Sequence, residues 1–394
     1  MRKFITPLIM VMIIPCLAGC WNRVEVNDIA IVTAIGLDRM ENGDIRLSLQ
    51  IGIPANLGPI GAGGGNKGGK GTFVISETGE TIADAYRKLQ EKIARRIFFS
   101  HSRVLIIGEK LARNGVSQII DFFPRYKEPR MNSFIMFTKG QASELLRSKS
   151  KLENVSSEET RELNKLNVGL KVSIKGFWEM MLAEGINPTA PAVNLKYLEV
   201  KNKSESKTEH SPSEKTQSIV GAAVFKKDKL VGWMNDAETR GILWLRNTLE
   251  AGVITVNIPK KRGGGKISTK IISTKTGINP KFQGGQLTIE VNTRSEVIVV
   301  ESTSKMNLTK TKMIEILQSK LEEDIRNKIQ LALDKAQKQF HSDIFGFGRA
   351  VYQTYPKVWN RKYKKRWDEE FPKLNVTIKP KVEVKRIGLT IETK

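Results

Sequence analysis

The side chain with the most legible chemistry in this 394-residue sequence is the thiol of Cys20, which follows Leu17-Ala18-Gly19 at the end of an apolar run. A cysteine sulfur is a strong nucleophile, and small residues ahead of it let a peptidase cleft hold the backbone extended. That combination suits transfer of a diacylglyceryl group to the sulfur, followed by cleavage on its amino side. Other candidates fall short on geometry. Gly63-x-Gly65-x-x-Gly68 and Gly64-x4-Gly69-Lys70 partly match phosphate-cradling patterns, but such a cradle lies between a strand and a helix N-terminus. Here the residues after the loop read as a strand, and Gly71 stands where a magnesium-binding hydroxyl belongs. His101, His210 and His341 are far apart, with no HExxH or CxxC to set metal ligands on one face. There is no GxSxG elbow, and the pairs Glu322/Glu323 and Glu369/Glu370 are adjacent on helices and so point apart. The expectation is a protein that is not an enzyme and holds no metal or dissociable cofactor.

The elements around Cys20 agree with its chemistry. Arg2 and Lys3 precede an apolar run, residues 4–18, that Pro7 and Pro15 interrupt and that is too short to span a bilayer. Behind such a run, Leu17-Ala18-Gly19-Cys20 resembles the bacterial lipobox, which implies that residues 1–19 are a signal peptide and that Cys20 becomes the acylated first residue. Cys16 is then discarded, and no thiol remains for a disulfide or a metal. Formal charge is +24, falling to +22 without Arg2 and Lys3. So basic a body on the outer side of a membrane favours an anionic lipid surface and excludes nucleic acid as a partner.

At 40% hydrophobic and 27% charged residues, the remainder is an ordinary folded chain. Residues 29–37 and the alternating 45–53 read as a β-hairpin about Asn42-Gly43. Residues 72–76, 103–107 and 133–138 read as strands, and 81–96, 116–123 and 174–184 as helices. Residues 201–217 contain nothing apolar and mark a polar linker. Beyond it come strands at 218–225, 230–233, 253–258, 266–273, 286–291 and 296–301, with a helix at 239–250. A long helix follows, its stripe running from Ile314 through Leu317, Leu321, Ile325 and Ile329 to Phe340. Trp359, Tyr363 and Trp367 recur every four residues among six basic side chains; packing against the sheet is preferred to stacking on bases. Residues 376–393 read as a strand or hairpin. The expected architecture is α+β: a mixed α/β region over 20–200 of one or two subdomains, a linker over 201–217, and over 218–394 an antiparallel sheet packed on the long helix.

After the lipobox, residues 20–28 (CWNRVEVND) and 29–38 (IAIVTAIGLD) resemble the mature start of the Ger(x)C family of spore germination lipoproteins. Further matches run in order along the chain: 100–108 (SHSRVLIIG), 121–130 (DFFPRYKEPR), 221–233 (GAAVFKKDKLVGW), 238–245 (ETRGILWL) and 343–348 (DIFGFG). The resemblance implies the C subunit of a nutrient germinant receptor, working with A and B membrane subunits on the outer face of the spore inner membrane. It also implies several mixed α/β domains and no catalysis. Cys20 carries over as the lipid-attachment residue, while Glu238, Arg240, Gly241, Phe345 and Gly346 are candidates either for a subunit interface or for shaping turns. The alternative is a solute-binding lipoprotein of a transporter, which requires two similar lobes around a cleft.

Overall fold

In the computed structural model the described residues are 25, 28–53, 71–126, 128–148, 156–165, 169–197 and 215–387. Cys20 and the signal peptide, the glycine-rich loop up to residue 70, His210, residues 201–214 of the expected linker and residues 388–394 lie outside them.

The first sheet grows outward from the apolar run. β1 (Ile29–Arg39) turns back into β2 (Ile45–Gly52), with Ile35 opposite Leu49 and Leu37 opposite Leu47, and β3 (Thr72–Gly79) adds an antiparallel edge. Helix α1 (Ile82–Lys92) starts on Thr81, whose hydroxyl accepts the Asp84 N–H at 3.1 Å. It stops short of the expected residue 96. The Gln90 side chain donates to the carbonyls of Ile93 and Arg95 and accepts the Ile97 N–H, which bends the chain into β4 (Arg96–Phe98), parallel to β1. β5 (Val104–Gly108) lies parallel beside β1, and β6 (Phe134–Thr138) lies parallel beside β5, since each is reached through helical crossovers. The crossover between them carries α2 (Glu109–Asn114) and α3 (Ser117–Tyr126). Three more helices, α4 (Ala142–Arg147), α5 (Ser156–Lys165) and α6 (Ile174–Leu182), lead to β7 (Thr189–Tyr197), a strand without a clear sequence signal.

The polar stretch does not separate two sheets. β8 (Lys215–Lys226) begins inside residues 201–217 and pairs antiparallel with β7, and β9 (Lys229–Met234) follows, so the first sheet runs β3-β2-β1-β5-β6-β7-β8-β9. Both of its faces are covered. α4 buries Ala142, Leu145 and Leu146 against Ala34, Val104, Ile106 and Met136, α5 is tied to the same side through Gln50 and Gln217, and α1, α2, α3 and α6 cover the opposite side. All of β5 is therefore buried and reads as an unbroken apolar run.

After α7 (Asp236–Leu245) comes the second sheet: β10 (Val253–Asn257), β11 (Lys266–Gln283), β12 (Gln286–Ser302) and β13 (Asn375–Arg386). β11 and β12 form one long hairpin closed by Gly284-Gly285, both at positive φ, as a two-residue turn that matches strand twist requires. The two strands expected at 286–291 and 296–301 are thus one. β10–β12 are antiparallel as expected, but β13 lies parallel to β12, because the long α8 (Thr311–Asp334) and later helical turns carry the chain back across the sheet. Leu317, Leu321, Ile325 and Ile329 of α8 are buried, and one apolar core runs from Leu37 and Ile107 through Trp244 to Ile289 and Val382. The two sheets differ in size and topology, so among the described residues there is no pair of similar lobes of the kind the solute-binding alternative requires.

Candidate functional site

Glu238, Arg240 and Gly241 lie on α7. Its start is fixed reciprocally: the Asn235 side chain accepts the Glu238 N–H at 2.9 Å, and the Glu238 carboxylate accepts the Asn235 N–H at 2.7 Å. Lys335, just past α8, donates to the same carboxylate at 2.8 Å. Gly241 sits where α7 crosses α8, so close that a Cβ would stand 2.3 Å from the Lys328 carbonyl oxygen. Arg240 donates to the Val253 carbonyl at 3.3 Å, tying α7 to β10. At the end of α7, Arg246 leads to the second motif: its Nε donates to the Ile344 carbonyl at 2.8 Å and its Nη2 lies 3.2 Å from the Met180 sulfur. Burial lowers the Arg246 guanidinium to about 10 while Asp343 acts in the opposite sense, so it remains a cation at neutral pH.

Asp343 is the centre of the arrangement and is 1% exposed. Its Oδ1 accepts the N–H groups of Phe345 (3.1 Å), Gly346 (2.9 Å) and Phe347 (3.2 Å). Its Oδ2 accepts the Gly348 N–H at 2.8 Å and the Trp367 indole N–H at 3.0 Å. The carboxylate thereby caps α9 (Phe347–Thr354). Burial pushes its pKa up from the ordinary carboxylate value, and the donors of Gly348 and Trp367 pull against that shift. With three bonds on one oxygen and two on the other, its acceptor capacity is filled. Such a group holds a loop in shape.

This knot also joins the middle of the chain to its C-terminal part. The Asn187 N–H donates to the Asp343 carbonyl at 2.6 Å and the Arg349 N–H to the Gly185 carbonyl at 2.9 Å. Gly185 and Gly348 meet back to back, where a Cβ on Gly348 would lie 2.7 Å from the Gly185 Cα. The Glu184 carboxylate accepts the Trp359 indole N–H at 2.8 Å and pairs with Lys364, which holds its pKa below the ordinary value. Beside the seam lies a groove of about 540 Å3 between Met181–Pro188 and Trp359, Lys364, Lys365, Trp367 and Asp368. Trp359, Tyr363 and Trp367 are buried, with Trp359 and Trp367 ring centroids 5.3 Å apart, and Arg361, Lys362 and Lys364 turn outward. The stripe packs inward, although the helix expected from Pro356 is broken into short turns.

Glu238, Gly241, Phe345 and Gly346 are thus turned inward and engaged by this chain, and Arg240 bonds to its own β10. Within this chain each of them shapes a turn or a helix crossing. Sequence reasoning picked Phe345 and Gly346 but passed over Asp343, Gly348, Arg246 and Gly185. An Asp with glycines three and five residues on is the pattern of a capping side chain ahead of a tight turn, and it was legible. Among the described residues no three His, Cys, Asp or Glu side chains cluster as metal ligands.

The saturated Asp343 carboxylate is a structural tie in a two-sheet body. Residues 22–195 match the spore germination protein N-terminal domain, and residues 220–388 match the C-terminal domain described as spore germination B3/GerAC like. The putative spore germination protein YfkR of Bacillus subtilis is 29% identical over 393 residues, covering 99% of this chain and 98% of that protein. Spore germination protein KC of the same organism is 28% identical over 98% of this chain and 97% of its own length. The crystal structure of the GerBC protein superposes with a TM-score of 0.57 at 20% identity, covering 89% of this chain and 97% of that one, which shows a shared fold. The chain belongs to the Ger(x)C family of spore germination proteins.

Proposed function

We propose that this chain is the lipid-anchored C subunit of a spore nutrient germinant receptor. In this reading acylated Cys20 holds it on the outer face of the spore inner membrane, beside an anionic lipid surface. It acts there with membrane-embedded A and B subunits, catalyses nothing and carries no cofactor beyond its covalent lipid. The observation that carries this reading is the end-to-end, co-linear match to spore germination proteins, 98–99% of this chain in the two relatives above. Among the described residues no helix is long and apolar enough to cross a membrane, and Cys20 is the attachment point proposed here.

The test is nutrient-triggered phase-darkening of spores in which this is the C subunit of the only receptor present. Cys20→Ala is expected to slow the nutrient response severely while germination by a receptor-bypassing chemical stays normal. Unchanged nutrient germination, with the variant shown to be released from the membrane, would sink the lipid-anchored reading.

A further inference from the structure

In β12 the odd-numbered residues from Leu287 to Val299 are buried. Its even-numbered residues therefore turn to the opposite face of the second sheet, and the strand register lets that face be read row by row. At one level Glu290 neutralises both neighbours, lying 3.1 Å from Lys281 and 2.6 Å from Lys379. Further along, Lys385 lies between Glu296 at 3.1 Å and Glu383 at 2.7 Å. Between these levels is a row with no acid, in which Lys275 is opposite Arg294 and Arg294 is opposite Lys381. The row borders a shallow cavity of about 500 Å3 that Gly277, Asn292 and Lys379 also line.

Adjacent strands are about 4.8 Å apart, so three cations stand side by side, an arrangement that destabilises a sheet. The row on one side carries Glu296 and Glu383, and in the row on the other side the single cation, Lys379, is paired with Glu290; this row has no acid, which leaves its charge to be met from outside. Beyond lies a row of different character: Val253 opposite Lys270, Lys270 opposite Ile298, and Ile298 opposite Arg386. Val253 is 49% exposed there, and Val300, two residues on from Ile298, is 51% exposed. Unmatched cations beside bare aliphatic side chains on a flat face complement a surface that presents anionic groups over an apolar layer.

We propose that the open face of the second sheet lies against the headgroups of an anionic bilayer. Lys275, Arg294 and Lys381 meet lipid phosphates, and Val253 and Val300 face the edge of the acyl layer. The proposal rests on the lipid-anchored reading and adds to it which face the tether brings down. Loss of three such charge contacts lowers the ratio of docked to undocked molecules about a hundredfold.

The experiment takes the full-length acylated protein in nanodiscs of phosphatidylcholine, with or without phosphatidylglycerol. Brief amine acylation is read by mass spectrometry at Lys275 and Lys381, with the exposed Lys110 on α2 as reference. Phosphatidylglycerol is expected to slow labelling of Lys275 and Lys381 several-fold and leave Lys110 unchanged. High salt should reverse the protection. Arg294→Glu, which supplies the missing carboxylate within the sheet, should abolish the difference between the two lipids. Equal labelling in both lipids, with the protein still in the nanodisc fraction, would overturn the docking. So would protection that survives Arg294→Glu, or that inorganic phosphate alone produces in phosphatidylcholine. A protein absent from the nanodisc fraction would overturn the anchored reading itself.

Discussion

The two sheets of this molecule meet solvent differently. In the first, β5 is buried along all five of its residues between α4 on one face and the main core on the other. In the second, β12 is covered on one face by the core beneath α8, and its other face carries Glu290, Arg294 and Glu296 toward water. A sheet covered on both faces has its side chains committed to packing, whereas a one-sided sheet keeps a surface for something else. The difference assigns rigidity to the first sheet and contact to the second, with the Asp343 knot coupling the two.

The largest effect should come from breaking the covered sheet. Met136→Asp places a carboxylate at a fully buried site under α4, and it is expected to cost more than about 4 kcal/mol in urea unfolding. Val300→Asp, at a half-exposed site on the open face of the second sheet, should cost less than about 1 kcal/mol. Equal costs would erase the contrast between the sheets.

Next in size is the coupling. Asp343→Ala orphans five donors at a buried site, for an expected loss of about 3 kcal/mol. Protease cleavage near Gly185 and Gly348 should rise with it, since both strands of the seam lean on that loop. A variant with wild-type stability would mean that the knot does not hold the seam.

Smaller effects sharpen the account of the open face. Lys379, Asn292 and Lys281 hold Glu290 down to about 2 from its ordinary 4.5. A depressed acid favours the folded state above its unfolded pKa, so this contribution is complete above about pH 4.5 and disappears as the pH falls toward 2. Glu290→Gln should flatten that part of an acid-unfolding curve, lowering stability modestly at neutral pH and leaving it nearly unchanged near pH 2. Arg294→Thr should raise stability by about 0.2–1 kcal/mol by relieving like-charge repulsion across three strands. If it lowers stability instead, the row is satisfied within the sheet.

Much of this was legible beforehand, and the particulars show why. The alternation in residues 45–53, the unbroken run at 104–108 and the stripe on α8 each record which side of an element meets the core, and a local pattern suffices for that. The end of α1 was misread because Ile93 and Ile97 continue the helical spacing. Only the side-chain bonds from Gln90 show that the backbone has already turned. The polar stretch at 201–217 falls between the two family matches, 22–195 and 220–388, but composition reports solvation and is blind to pairing. β7 and β8 on either side of it are neighbours in one sheet.

The candidate site divides in the same way. Sequence alone offered Cys20 as an attachment point, and it determined the α+β character of the body and the family motifs around Glu238 and Phe345. It could not decide that Asp343 would gather Trp367 and four backbone N–H groups, that Gly185 would meet Gly348, or that Lys275, Arg294 and Lys381 would fall into one row. Periodicity fixes which face of an element is apolar, a property of neighbouring residues. Register, crossover direction and the partner of a buried carboxylate depend on residues up to about two hundred positions away, which only the folded chain brings together.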